Sequence, residues 1–206
     1  MRILIPAGPT REYFDDVRYL SNGSSGRMGY ALAQAAQEAG HAVELVSGPV
    51  ALPSPPGCHL HPVLTTAEML AACLEIFPRC DGVIGVAAVC DYTPKARVTG
   101  KLSKTGRPLI LELVETPDIL GTLGTIKEHR WSVGFALETD AGPGKALQKL
   151  REKRCDAIAL NALSAMGSET NRIQLLARQG EIVADWNGTK LDVAREMIAW
   201  IGRNLP

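Results

Sequence analysis

Gly82-Val83-Ile84-Gly85-Val86-Ala87-Ala88 is the run that decides the fold. It is almost continuously apolar, without polar alternation, and such runs are strands covered on both faces, as in parallel sheets. Just before it, Thr65 or Thr66 can cap a helix whose Met69, Leu70, Cys73 and Leu74 form an apolar stripe. Working outward, Ile3-Leu4-Ile5, stopped by Pro6-Ala7-Gly8-Pro9, reads as the first strand. A helix over 26–38 follows, with Met28, Ala31, Leu32 and Ala35 at helical spacing and Gly40 at its C-terminal cap, and then a strand over 43–46.

Downstream the same alternation predicts a strand over 109–114, a helix starting near Thr116-Pro117-Asp118, a strand over 132–136, a helix over 144–153 and a strand over 157–160. This rhythm specifies a Rossmann-like, doubly wound α/β sheet that is mainly parallel. After Asn161 it changes: 172–177 and 181–185 flank Arg178-Gln179-Gly180 as an appended antiparallel hairpin, and a closing helix capped by Thr189 runs over 190–201. Two segments are too long for ordinary α/β connections, the link between the first strand and first helix and the polar stretch from Asp91 to Arg107. Both fall where function sits in such folds, at the C-terminal ends of strands.

Composition narrows the function. With 206 residues, 46% of them hydrophobic, the chain can bury one substantial core, and a single domain over 1–206 is expected. Lys plus Arg equals Asp plus Glu at 22 each, which offers no bulk field for nucleic acid or a membrane surface. The five cysteines, 58, 73, 80, 90 and 155, are odd in number and lack any CxxC or metal spacing. They suit a reducing compartment, and with no apolar run long enough for a signal peptide or a membrane span the expected location is the cytoplasm. His41, His59, His61 and His129 show no metal-ligand pattern, and His59 and His61 stand beside a loop without matched carboxylates or cysteines. No metal ligands are assigned.

Two stretches carry candidate chemistry. In the first, Arg18-Tyr19-Leu20-Ser21-Asn22-Gly23-Ser24-Ser25-Gly26 brings hydroxyls, glycines and an arginine to a helix start. Unpaired backbone N–H groups and the positive end of the helix dipole favour a phosphate there. A plain capping role for Ser24 or Ser25 is equally open from the motif alone, and the length of the loop with Arg18 beside it favours a ligand. The stretch is not the usual dinucleotide fingerprint, since Gly8-Pro9-Thr10 does not supply GxGxxG after the strand, and no GxxxxGK[ST] loop is present. In the second, small residues at a strand end, Gly85, Val86 and Ala87, are followed by Asp91 and by Lys95, Lys101 and Lys104. The small side chains admit a ring or ribose, Asp91 accepts hydrogen bonds, and lysines can neutralise a triphosphate, though a lysine-rich loop read alone is ordinary solvated surface.

Taken in order, AGPTRE (7–12), DxVRYLSNxSSGxMGYALA (15–33), AAVxDY (87–92), KLSK (101–104), TPDIL (116–120), VGFALET (133–139) and D-x-I-x-x-N (156–161) resemble the phosphopantothenoylcysteine synthetase family. This is the ligase of coenzyme A biosynthesis, the C-terminal half of a bifunctional protein in many bacteria. The resemblance implies that 4'-phosphopantothenate is activated by a nucleoside triphosphate, CTP before ATP, with Mg²⁺, to an acyl nucleotide that L-cysteine then attacks. It assigns Asn22 to turnover of the acyl intermediate, Lys101 to its formation and Arg18 to the same catalytic set. Ser24, Ser25 and Gly26 are expected on a substrate phosphate. The expected nucleotide contacts are Gly85, Val86, Ala87, Asp91, Lys101, Lys104, Phe135, Ala136, Leu137, Glu138 and Lys190.

The chain departs from the family pattern at Gly23, at Ser103 in the lysine loop and at Leu137, which is expected to narrow the base pocket. Cys90, where alanine is usual, is expected to pack as a small apolar group, and no cysteine of the protein is needed as nucleophile. The resemblance further implies a homodimer with sites near its interface. Because no decarboxylase precedes Met1, the expectation is the synthetase half alone, with a separate flavin-dependent decarboxylase as partner. Two other readings stay in view: a dinucleotide-dependent reductase and a non-catalytic nucleotide-binding module.

Overall fold

A computed structural model of the chain describes residues 1–138, 143–162 and 168–206. In chain order it comprises β1 (Arg2–Ala7), a hairpin of β2 (Arg11–Tyr13) and β3 (Tyr19–Ser21), α1 (Arg27–Glu38), β4 (Ala42–Ser47), β5 (His59–Pro62), α2 (Thr66–Ile76) and β6 (Gly82–Gly85). There follow a second small hairpin of β7 (Tyr92–Pro94) and β8 (Leu113–Glu115), then α3 (Ile119–Thr125), β9 (Trp131–Glu138), α4 (Pro143–Glu152), β10 (Ala157–Ala162), β11 (Thr170–Ala177), β12 (Ile182–Thr189) and α5 (Lys190–Asn204).

Eight strands form one sheet in the order β12-β11-β10-β9-β6-β1-β4-β5. The run from β5 to β10 is parallel, and β11 and β12 are added antiparallel. Counted along the chain, the parallel strands stand 3-2-1-4-5-6, the doubly wound order whose direction reverses between its first and fourth members, here β1 and β6. The expected architecture, appended hairpin included, is the one observed.

Alternation within each strand explains why its sequence reads as unbroken hydrophobicity. Ile3 and Ile5 face α1 and α5 with Val43, Leu45 and Val133, while Leu4 faces α2 and α3 with Val46 and Val83. Helix α4 covers Ala136 and Ile158. The caps are local and legible: Thr65 and Glu68 form a reciprocal capping box at α2. At the end of α1 the His41 N–H donates to Ala36 and the Gly40 N–H to Gln37, a Schellman closure in which Gly40 takes φ +79.

Four expectations need correction. The strand at 82–88 is regular only to Gly85, after which the chain follows β1 through Val86 N–H to Pro6 and Ala88 N–H to Gly8. The strand expected over 109–114 shrinks to β8, paired among the described residues only with β7; Ile110, before it, is 89% exposed. The long first loop holds the β2–β3 hairpin, whose buried Glu12 accepts from the Thr66 N–H and hydroxyl, both at 2.8 Å. Finally, His59 and His61 lie on a strand and do have a carboxylate: His61 Nε2 is 2.8 Å from Glu44 on β4, and His59 Nδ1 is 3.7 Å away.

Burial would raise the Glu44 carboxyl, but the His61 hydrogen bond and the charges of His61, His59 and Arg79 outweigh it and hold the group below its ordinary 4.5. A depressed folded pKa gives stability that is present above the unfolded value and is lost as pH falls through the folded one. Urea unfolding of Glu44→Gln is therefore expected to show less loss of stability on acidification below about pH 4.5 than the parent chain does.

Candidate active site

A cavity of ≈ 400 Å³ opens at the C-terminal ends of β1, β6, β9 and β10, where the strand order reverses. Its floor comes from the strands themselves: Val86, Ala87 and Ala88 after β6, Phe135, Ala136 and Leu137 on β9, and Asn161 on β10. The start of α1 closes one side with residues 22–28, and Asp91 and Lys190 stand at other points of the wall.

The glycine pattern missing from the sequence is assembled in space. Gly8 makes the turn after β1 at φ +73, and Gly26 begins α1 at φ +75; a Cβ built on Gly26 would lie 2.6 Å from Val50 Cγ1 and 3.4 Å from Gly8 Cα. A Cβ on Gly29 would lie 2.5 Å from Ala7 Cβ, so this glycine lets the helix sit directly on β1. The turn and the helix–strand contact are two of the roles that the dinucleotide fingerprint assigns to its glycines, and Gly26 lets the helix start pass close to Val50 and Gly8. The β2–β3 hairpin is inserted between Gly8 and Gly26. The acid that fingerprint carries at the end of the second strand is absent, since Ser47 stands there and bonds the Tyr30 hydroxyl at 3.1 Å.

Helix α1 has no side-chain N-cap. Ser24 Oγ instead accepts from the Gly26 N–H at 3.3 Å, so the capping reading of the serines does not hold and the helix start faces the cavity. Such a start favours an anion. Arg27 and Lys190 add positive charge to the same wall. The Lys190 ammonium donates to the carbonyls of Ser168 and Thr170, and burial, then the nearby charge of Arg27, lowers its pKa. Asn161 presents a buried Oδ1 that has no hydrogen-bond partner among the described residues, an acceptor that a donor on a bound molecule would satisfy.

Asn22 is fixed at the mouth of the cavity. Its Nδ2 donates to the carbonyls of Ala88 at 3.1 Å and Val89 at 2.7 Å, which leaves Oδ1 as the atom open to a ligand. The segment it grips is itself anchored: the Cys90 N–H donates to the Thr10 hydroxyl at 2.9 Å, and Thr10 meets Thr66 at 2.9 Å above Glu12. Cys90 is buried and its thiol is pushed up by burial, so it packs as expected and is a poor nucleophile.

Of the residues expected from sequence, Asn22, Ser24, Ser25, Gly26, Val86, Ala87, Asp91, Phe135, Ala136, Leu137 and Lys190 meet around this cavity. Gly85 does not; it lines a smaller recess beneath α3 against Leu120. Arg18, Lys101 and Lys104 also stand outside the wall. Arg18 grips Asp15 and the Leu102 carbonyl, and Lys101 and Lys104 are exposed on the loop so held. The side chain of Glu138 lies outside the described residues. Gly8, Arg27, Gly29 and Asn161 were not expected as site residues; Asn161 ends the D-x-I-x-x-N motif, and the Gly26-Arg27-Met28-Gly29 spacing was the only local sign of the divided fingerprint.

Residues 1–205 match the family described as DNA/pantothenate metabolism flavoprotein C-terminal domain. The coenzyme A biosynthesis bifunctional protein CoaBC of Bacillus subtilis (strain 168) is 41% identical over 201 residues, which cover 95% of this chain and 50% of that protein. A protein named cysteine/cysteine sulfinic acid decarboxylase, from an unknown prokaryotic organism, is 42% identical over 203 residues, covering 96% of this chain and 56% of its own. The crystal structure of the C-terminal domain of CoaBC superposes with a TM-score of 0.83 at 38% identity, covering 98% of this chain and 96% of that one. The chain thus spans about half the length of the curated relatives it matches.

Proposed function

Since the chain belongs to the DNA/pantothenate metabolism flavoprotein C-terminal domain family, we propose that it is the phosphopantothenate–cysteine ligase of coenzyme A biosynthesis, acting within residues 1–206 as one domain. The observation that carries this reading is Asn22, fixed by two backbone carbonyls and with no partner for Oδ1 among the described residues, at the mouth of a cavity of ≈ 400 Å³ closed by the start of α1. The names bifunctional protein and decarboxylase belong to chains about twice this length, and the ligase is the reading that a match to a C-terminal domain supports.

In the first half of the reaction the carboxylate of 4'-phosphopantothenate attacks the α-phosphate of CTP, a P–O bond forms, and pyrophosphate leaves. Two anions must meet, so positive charge at Lys101 and Lys104 and the start of α1 at Ser24, Ser25 and Gly26 offset repulsion, while Arg18, paired with Asp15, holds the lysine-bearing loop. Val86, Ala87, Phe135, Ala136 and Leu137 enclose the base and ribose, with Gly85 behind them. Asn161 Oδ1 takes a donor from the nucleotide, and Asp91 accepts a hydroxyl or an amine. Among the described residues no group of three or more His, Cys, Asp or Glu is placed to hold a metal, and Mg²⁺ belongs here with the substrate phosphates and water. In the second half the cysteine amine attacks the acyl carbon, the nucleoside monophosphate leaves, and Asn22 Oδ1 orients the amine by accepting one of its protons in a hydrogen bond.

Arg18 and Lys101 stand outside the cavity wall of their own chain, and this favours a homodimer in which the hairpin of one copy serves a cavity at the interface. Val17, Tyr19, Tyr92, Val98, Leu109, Ile110 and Leu113 are exposed on the two hairpins and the segments beside them, the kind of apolar surface that marks an interaction site. Ile110→Asp is expected to leave the fold intact, because the side chain is 89% exposed, yet to shift the sedimenting species from dimer to monomer and to lower activity at least about tenfold. Among the described residues no helix is long and apolar enough to cross a membrane. The five thiols are free, which supports a cytoplasmic location.

Incubation with a nucleoside triphosphate, 4'-phosphopantothenate and L-cysteine, followed by mass spectrometry, tests the reading. The amide product is expected. Turnover of a nicotinamide cofactor with no adduct would transfer the chain to the reductases, and nucleotide binding without turnover would leave it a binding module.

A further inference from the structure

Asp15 is a buried carboxylate that the proposed chemistry does not use, yet it is among the most heavily hydrogen-bonded groups in the molecule. Its side chain is wholly buried and accepts from the N–H groups of Val17 at 2.8 Å, Arg18 at 2.6 Å and Leu102 at 3.1 Å. It also accepts from Arg18 Nε at 2.8 Å and Nη2 at 2.5 Å. Arg18 Nη2 reaches on to the Leu102 carbonyl at 2.6 Å, so both backbone groups of Leu102 are held by one ion pair. Burial alone would raise the carboxyl, and these bonds more than reverse it, keeping the group charged throughout the ordinary pH range.

The residue on the other side of Lys101 is held in the same way. Asp16 accepts from the Gly100 N–H at 2.6 Å, and its own N–H donates to the Gly100 carbonyl at 3.1 Å. Val98 N–H bonds the Phe14 carbonyl at 3.0 Å. Gly100 takes φ +78, a conformation that suits glycine at the bend. Lys101 therefore has both neighbours tied to the tip of the β2–β3 hairpin, while its own side chain is exposed and, among the described residues, makes no ion pair. A surface loop with nothing to do would not need a buried charge under one lysine. The base of the same hairpin ends at Ser21, next to Asn22.

We propose that Asp15 is a positioning residue: with Arg18 and Asp16 it locks the backbone on both sides of Lys101 onto the hairpin, so that Lys101 and Asn22 are presented by one rigid piece. This rests on the ligase reading and on Lys101 acting in acyl-nucleotide formation. Misplacing a reacting group by about 1 Å costs on the order of 10²-fold in rate, so a loosened loop is felt in turnover before it is felt in nucleotide binding.

The test compares the parent chain, Lys101→Ala, Asp15→Asn and Asp16→Asn for pyrophosphate release with CTP, 4'-phosphopantothenate and Mg²⁺, alongside amide exchange over 98–102. For Asp15→Asn the expected result is a kcat lower by at least about tenfold, a KM for nucleotide within about threefold, and at least tenfold faster exchange at Gly100 and Leu102. Asp16→Asn, at the half-exposed partner, should move all three in the same direction by a smaller factor, and it decides the matter if circular dichroism shows that Asp15→Asn does not fold. No release by the parent chain would overturn the ligase reading and this inference with it. Release that is lost in Lys101→Ala but kept within twofold in the Asp15 and Asp16 variants would overturn the inference alone, as would a rise in KM as large as the fall in kcat.

Discussion

Lys101→Ala is expected to lower phosphopantothenate-dependent pyrophosphate release by about 10²- to 10³-fold, the loss typical when one preorganised charge or donor is removed from a developing oxyanion. The carboxylate and the triphosphate repel each other, and negative charge grows on the departing pyrophosphate, so a cation is worth most in the transition state. Lys101 stands outside the cavity wall and, among the described residues, is unpaired, which leaves its ammonium available to follow that charge. Ser103 has no charge to take its place, and Lys95 is already engaged by Glu112 at 2.6 Å. Lys101 is not part of the cavity wall, so nucleotide affinity should change by no more than about fivefold, a split between kcat and binding that identifies an interaction made chiefly in the transition state. Rapid-quench measurement of pyrophosphate with parallel nucleotide titration checks both halves; equal losses in binding and rate would contradict the role.

Asn22→Asp should act on the other half-reaction. The acyl nucleotide is expected to form and accumulate, while amide product falls by at least about 100-fold, because orientation of a bound nucleophile contributes factors of this order or larger. The reason is local. Asn22 uses both hydrogens of Nδ2 on the carbonyls of Ala88 and Val89, and an aspartate would set a carboxylate oxygen against those same two oxygens. The side chain would turn away, and the cysteine amine would lose its acceptor. Chemical quench followed by mass analysis distinguishes this outcome from simple inactivity, since the activated acid is seen only if the first step survives.

How far these residues could be read in advance differs between fold and site. The central strands were legible because parallel strands are covered on both faces and so read as unbroken apolar runs, as at 82–85 and 157–160. The edge strand β5 and the small hairpin strand β2 were not, whereas the appended hairpin of β11 and β12 was. In β5, His59-Leu60-His61-Pro62 carries one aliphatic residue, and β2 buries a glutamate at its centre, against every compositional expectation. Leu109-Ile110-Leu111 failed in the opposite sense, an apolar run left outside the core. At the site, motif residues next to each other in sequence were found, but relations across the chain were invisible. Gly8 joins Gly26 and Gly29 only because a hairpin inserted between them folds away, and Asp15 reaches Leu102 only through the tip of that hairpin. Leu137, a departure from the family pattern, lies in the wall of the cavity.

The most direct measurement of the central claim is the order of events in one tube. Pyrophosphate is followed from CTP, and separately from ATP, with Mg²⁺ and with or without 4'-phosphopantothenate; L-cysteine is added last and the product is weighed by mass spectrometry. The account expects pyrophosphate only when phosphopantothenate is present, more with CTP than with ATP, and conversion to the cysteine amide on addition of the amino acid. Pyrophosphate released without the acid, or none released with either nucleotide, would contradict it.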